Sequence, residues 1–381
     1  MQSGMLFQWI LGRSGAADAG YDIEQIHFVL PETIDPAVLG KAFTQIARYH
    51  ESLGTYFTWE GHPTPTQQVD PAPVVSVTMN DWRGLDEAQR GKAREEFLQR
   101  DRLFGFDLSV APLMRVSVFD CAHNQTEIVW TVHHIVIDGR SFPVILQQVF
   151  AAYDALKLGQ EVHLPPKSRP YRDFISWQKQ QVVSKSLPFY RELLAGKQVS
   201  TPLPCAQSST QLLPYTGYGR KSLEVSDRVL KQLQVLALET GTTMGVALQA
   251  ALSLLLSRFT GDQDVLFGTV RSLRRNALNG EAEHITGLLI NTLPLRVQLN
   301  DECSVAELLG QLKAQNQALR GHSHISLIDI QGQSEIPRGR PLFETLLMFD
   351  SQEINRTLRE TGDPRWNSSQ IKVHEQPSLP L

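Results

Sequence analysis

Apolar and polar positions follow a strand period in some stretches and a helix period in others, and the two exchange from about residue 24 to residue 350. EQIHFVL (24–30) alternates and reads as a strand. Asp35 and Pro36 follow as N-cap and first helical residue, and Val38, Leu39, Ala42, Phe43, Ile46 and Ala47 form one apolar stripe. GHPTPTQQVDPAP (61–73) reads as a loop on its proline content. Residues 86–104 predict a helix whose mixed charges suit a solvated face. PLMRVSVFD and TEIVWTVHH, separated by CAHNQ, predict a strand–turn–strand pair. FPVILQQVFAAYDALKLG (142–159) predicts a helix ended by Gly159.

Near the middle the composition changes. LPPKSRP (164–170) and STPLPCAQSSTQLLPYTGYG (200–219) are rich in Pro, Ser, Thr and Gly, and they bracket a helical segment through Trp177 and Tyr190. Beyond them come predicted helices at 226–239, 243–259 and 304–321 and strands at 264–270, 292–299 and 344–350. The pattern predicts an α/β fold with mixed sheets in two lobes, residues 1–178 and 179–381.

The chain has 381 residues, of which 41% are hydrophobic and 20% charged, which excludes a disordered polymer. With 36 basic against 40 acidic residues the net charge is −4, which argues against nucleic acid or an anionic membrane as a partner. Cys121, Cys205 and Cys303 are widely spaced with no CxxC pair, which excludes a disulfide scaffold and a cysteine zinc site. MQSGMLFQWILGR has no basic residues ahead of its apolar run and no cleavage site after it, so it is a poor signal peptide. The longest apolar run, 247–259, is closed by Arg258 and is too short to span a bilayer. A cytosolic protein is expected.

The candidate chemistry lies in HHIVIDGRS, from His133 to Ser141. Ile128, Trp130, Val132 and His134 alternate, which puts His134 on the apolar face of its strand, and Asp138-Gly139 is a turn signal. Ser141 is positioned to cap the next helix. A neutral imidazole here can take a proton from an attacking amine or hydroxyl. The carboxylate of Asp138 can order the turn, either by touching the imidazole or by binding backbone and an arginine. A histidine at a strand end is also commonly only a packed, hydrogen-bonded core residue. A metal site is disfavoured, because His133 and His134 point to opposite faces and no third ligand is nearby. No P-loop, GxGxxG or GxSxG occurs.

HHIVIDGRS resembles the HHxxxDGxS motif of nonribosomal peptide synthetase condensation domains, within the chloramphenicol-acetyltransferase-like acyltransferases. Other stretches are similar to that family in the right order: GMLFQWIL (4–11), YHESLGTYF (49–57), YRDFISWQ (171–178), DVLFGTVRSLR (264–274), ITGLLINTLPLR (285–296) and RGRPLFETLLMFDS (338–351). The resemblance implies two acetyltransferase-like lobes in a V, with a tunnel between them. Phosphopantetheine arms of partner carrier proteins would enter it, one with a donor acyl thioester and one with an acceptor amine, and the domain itself would bind no cofactor. An adjacent adenylation domain is implied as well. Carried over to this chain, His134 would orient or deprotonate the acceptor amine, with His133, Asp138 and Gly139 completing the catalytic motif. Gly139 would let backbone approach the reacting centre. Ser141, Ser272 and Asn291 would lie on the substrate side.

The chain departs from the family pattern at position 54, which is Gly where the motif has its second Arg, and at Tyr49, which replaces the first. In the family, Asp138 would pair with that arginine. Here another arginine substitutes, backbone donors suffice, or the site is degraded. Arg271, Arg274 and Arg275 form a basic cluster that reads either as a phosphopantetheine phosphate contact or as a solvated loop. Arg140 stands where Trp is common. The match starts inside the opening motif and stops short of the family's last elements, so a second lobe incomplete at its C-terminus is expected. Two alternatives stay open: a free-standing acyltransferase using coenzyme A or a carrier thioester, and a degenerate domain that only docks carriers. Epimerisation and heterocyclisation lack their motifs.

Overall fold

The computed structural model describes residues 20, 22–61, 65–166, 168–202, 221–337, 340–349 and 354–375. The opening segment 4–11 and Cys205 lie outside them, as do parts of 200–219 and 338–351.

The first sheet has five strands: β1 (Ile23–Leu30), β4 (Ser76–Asp81), β5 (Met114–Cys121), β6 (Gln125–His133) and β10 (Lys372–His374), in the order β10-β1-β6-β5-β4. β5 and β6 form an antiparallel hairpin turned by His123 and Asn124, both at positive φ. β1 runs antiparallel to β6 with Ile26 opposite Trp130 and Phe28 opposite Ile128. One face of β1 and β6 therefore packs Ile26, Phe28, Trp130 and Val132 into the first core. Helix α1 (Pro36–Tyr49) covers that face with Leu39, Ala42, Phe43, Ile46 and Ala47. Its N-cap is Asp35, whose carboxylate accepts from the amides of Ala37 and Val38. Helix α2 (Glu87–Phe104) starts on a capping box between Asp86 and Gln89 and lies largely in solvent, as its charges require. Helix α3 (Phe142–Lys157) completes the core through Ile145, Leu146, Val149 and Phe150.

Two departures from the sequence reading concern segments with little apolar pattern. The proline-rich stretch 61–73 contains strand β3 (Thr66–Val69), which pairs with β2 (Thr55–Thr58) in a separate hairpin. The bracketed helical segment is two helices, α4 (Tyr171–Gln180) and α5 (Val183–Leu194).

The second sheet joins β7 (Asp264–Ser272), β8 (Ile290–Gln298) and the short β9 (Leu346–Leu347), in the order β8-β7-β9. Helices α6 (Asp227–Glu239), α7 (Met244–Thr260) and α8 (Val305–Gly321) belong to this half, and α7 and α8 pack into a second core with Phe267, Leu293, Leu295 and Phe343. No single helix among the described residues is long and apolar enough to cross a membrane.

The boundary at 178/179 needs one correction. Residues 354–374 return to the first core: Leu358, Trp366 and Ile371 are buried in it, and β10 pairs with β1. Trp366 sits edge-on to Phe28 and Phe150, an aromatic cluster that repays the long crossing.

A third, small core ties the halves together. Tyr171 and Phe174 of α4 pack on Leu273, Ala277, Ile285 and Leu289 from the loop between β7 and β8. Gly287 in that loop lies at φ +152°, and a Cβ there would collide with the Tyr171 ring. Only glycine lets this loop sit so close to α4.

Candidate active site

His134 stands where β6 stops. The strand ends at His133, and a single 3-10 turn, His134–Val136, follows, so alternation is not carried through to His134 as the sequence pattern predicts. The His134 amide donates to the Asp22 carbonyl at 2.7 Å, fixing the turn to the start of β1. Its ring Nδ1 lies 2.5 Å from the Ile137 carbonyl, which can only accept, so Nδ1 carries the proton. Nε2 is thereby left as the basic nitrogen. It faces the Glu24 carboxylate, with Nε2 and Oε1 3.9 Å apart.

Burial works against the charged form of His134. The Glu24 carboxylate, the Ile137 carbonyl, and Asp22 and Asp138 outweigh it, so the His134 pKa is raised. His133 is the opposite case. It is buried, its Nδ1 accepts from the Ile135 amide at 3.1 Å, and burial together with the neighbouring His134 lowers its pKa to about 3. A neutral His133 shapes the turn through this bond.

Asp138 does not touch either imidazole. Arg274 grips it with both terminal nitrogens, at 2.7 and 2.8 Å, and the pair is 2% and 1% exposed. The Leu289 amide adds a third bond at 2.8 Å. The missing cation is thus supplied 136 residues downstream, from the terminal Arg of DVLFGTVRSLR. At position 54 a Cβ would stand 2.9 Å from the Asp70 carbonyl oxygen, so this backbone admits no arginine there. The solvated-loop and phosphate readings both fail for Arg274. Arg275 is exposed. Arg271 is half-buried, and its Nε and Nη2 have no hydrogen-bond partner among the described residues. Burial and the nearby Arg320 lower its pKa.

Ser141 occupies the N-cap position of α3 but makes no side-chain cap bond. Its hydroxyl accepts from Arg274 at 3.1 Å and from the Gly287 amide at 3.2 Å, so it is spent on the joint between the halves. Arg140, on the same turn, donates to Glu283 at 2.9 Å. Asn291 is buried, and its amide nitrogen donates to the carbonyls of Ser323 and Ile325 at 2.9 and 2.7 Å. It clamps a loop to β8. Ser272 accepts weakly from the Arg274 amide, at 3.4 Å, and so supports the same arginine. Gly139 is exposed, and no protein atom lies within 4 Å of where its Cβ would be. Protein packing therefore does not require glycine at this position.

The residue that the sequence reading passed over is Glu24. It shares the β1 face of Ile26, Phe28 and Leu30, so a charged side chain continues an apolar row. That break in pattern was the available signal. Among the described residues no three His, Cys, Asp or Glu side chains converge as a metal site.

The Condensation domain family profile matches residues 1–378. The chain is 32% identical to a linear gramicidin synthase of Brevibacillus parabrevis over 93% of its own length and 4% of that protein. It is 31% identical to surfactin synthase subunit 3 of Bacillus subtilis (strain 168) over 100% of its length and 29% of that protein. The chain thus spans less than a third of these relatives. Its fold matches the X-domain from teicoplanin biosynthesis with a TM-score of 0.74 and 21% identity, covering 98% of this chain and 81% of that one. The first condensation domain of the calcium-dependent antibiotic synthetase, in complex with a substrate analogue, matches with a TM-score of 0.71 and 19% identity over 96% of this chain and 81% of that one. With the family profile spanning nearly every residue and the fold shared with solved condensation domains, the chain belongs to the condensation-domain family of nonribosomal peptide synthetases, an amide-bond-forming class of acyltransferases.

Proposed function

We propose that this chain joins a donor acyl or peptidyl thioester to an acceptor aminoacyl thioester, each presented on the phosphopantetheine arm of a carrier protein. The observation that carries the reading is the fixed tautomer of His134, with Nδ1–H held by the Ile137 carbonyl and Nε2 left basic. In this reading the acceptor nitrogen meets Nε2, attacks the thioester carbonyl carbon, and gives up a proton as the C–N bond forms and the C–S bond breaks. Asp138 stays out of the proton path. Its bonds to Arg274 and Leu289 hold the Ile137 carbonyl, one residue away, where it can orient the ring. One ground of the docking-only alternative was Gly54, which leaves Asp138 without the family's arginine, and Arg274 supplies that cation. An adjacent adenylation domain, two carrier partners and a cytosolic setting belong to the same reading.

The test loads matched donor and acceptor carrier proteins, adds the chain, and follows the acceptor by intact-protein mass. A mass gain equal to the condensed product is expected. No gain from a cooperatively folded chain overturns the reading.

A second prediction uses Gly139. Its Cβ direction is open, so Gly139→Ala should unfold within about 0.5 kcal/mol of the parent, as surface changes do. Amide formation should nevertheless fall about tenfold if reacting groups occupy that space, since a small misplacement is costly at a reacting centre. Unchanged rates would show that the turn, not the substrate, selects glycine.

A further inference from the structure

We propose that Glu24 is a second catalytic residue of the amide-forming site, cupping the acceptor amine nitrogen together with His134. The inference rests on the function proposed above and assigns that site a further group. Its basis is geometric. Glu24 Oε1 and His134 Nε2 stand 3.9 Å apart, too far to bond each other, on side chains only 6% and 12% exposed. One nitrogen about 2.9 Å from each would meet them at roughly 85°, a spread that two N–H bonds can approach. The second carboxylate oxygen, Oε2, is buried and has no hydrogen-bond partner among the described residues.

A carboxylate kept only for the sheet looks different, and the same sheet holds one. Glu127, also buried, is gripped by Arg94 through both oxygens at 2.8 Å and meets His27 at 3.1 Å. Although burial pushes its pKa up, these partners win and hold it at about 2. Glu24 has no such grip. Burial raises its pKa, His134 and Arg102 oppose, Glu375 and Asp22 add to the rise, and the value reaches about 7. Around the pair stand Asp22 at the start of β1, Arg102 on α2, His133 and Asp138 on the β6 turn, and Glu375 after β10. Both members are raised and they interact, so their protons belong to the pair, and whichever member lacks the proton offers an electron pair.

That suits an acceptor arriving as an ammonium ion. One N–H proton passes to the pair, and the freed lone pair attacks the thioester carbonyl carbon. The C–N bond forms, the C–S bond breaks, and the sulfur leaves as a thiolate. The pair passes its proton to that sulfur and takes the one then shed by nitrogen, which it afterwards releases to solvent. The products are amide, thiol and one solvated proton, and no co-reactant is needed.

The test has two arms. In the first, 13C- and 15N-labelled protein is titrated by NMR. The His134 resonance is identified by its absence in His134→Asn, and the Glu24 carboxyl by its absence in Glu24→Gln. A Glu24 midpoint well above the ordinary carboxylate range that moves when His134 is replaced supports the pair. An ordinary Glu24 midpoint below pH 5, independent of His134, overturns it. In the second arm, carrier-based amide formation is measured against pH. Glu24→Gln is expected to lose about tenfold or more at pH 7 and to move its acid limb to lower pH, because the group that raises the His134 pKa is gone. A Glu24→Gln protein with the parental rate and pH profile sinks the proposal. An inactive parent would instead sink the function reading, while the NMR arm still decides whether the pair exists.

Discussion

His134→Asn should lower amide formation by about 10²- to 10⁴-fold, the range for loss of a positioned acid–base group, while the domain still unfolds cooperatively. Asparagine is the sharper choice than alanine. Its amide can take the place of Nδ1–H and keep the bond to the Ile137 carbonyl, and it offers nothing in place of Nε2. The raised His134 pKa fixes the sign of two pH effects. The folded state favours the protonated ring, so that stabilisation is complete below the ordinary value of 6.5 and is lost as pH rises through the folded value. Parent and variant should therefore have similar Tm at alkaline pH, with the variant the less stable one in acid. Catalysis runs the other way, because the basic form is needed, and the parental rate should climb with pH over the same window. A variant that keeps more than about a tenth of the parental rate would move the proton to another group.

Much of this site was legible in the chain because its parts are local. Alternation in β6, the Asp-Gly turn and the helix from Phe142 all lie within residues 125–157, and local pattern reports local structure. The helix from Pro36 read equally well, with Asp35 at its N-cap accepting from the first turn, and the helices that the pattern starts at 86 and 304 begin on the caps Asp86 and Ser304. Strands whose residues face solvent on an edge read poorly. TQQV in β3 and SVTMND in β4 are mostly exposed, so no apolar row marks them. The pairing of β10 with β1 is a tertiary event of three residues, with no pattern of its own. The partner of Asp138 is hidden for the same reason, since Arg274 reaches it only once α4 and the β7–β8 loop have docked. Glu24 is a different matter. Its place in the row of Ile26, Phe28 and Leu30 is a sequence-level fact, and the charge on that row marks the site.

Arg274→Leu should cost about 3–5 kcal/mol of unfolding free energy, the penalty for stripping one partner from a buried ion pair. Urea unfolding measures it directly. The cost is large because Asp138 is 1% exposed and, among the described residues, would keep only the Leu289 amide and the Ser141 hydroxyl as donors. Asp138→Asn should fall in the same direction, leaving the Arg274 guanidinium with the Ser141 hydroxyl at 3.1 Å and the carbonyls of Ile285 and Gly287 at 3.3 and 3.4 Å. The double variant is the decisive member of the series. With both charges gone no isolated ion remains, so its loss should be smaller than the sum of the single losses by about 0.5–3 kcal/mol, the coupling seen between residues in contact. Its catalysis should not recover along with its stability. The Leu289 amide would lose its carboxylate acceptor, the Ile137 carbonyl one residue from Asp138 would lose its anchor, and with it the ring of His134 would lose its fixed tautomer. Strict additivity in the cycle would mean that Arg274 and Asp138 contribute independently. The joint between the two halves would then rest on the Tyr171–Leu288 bond at 3.0 Å and the packing around it, not on the ion pair.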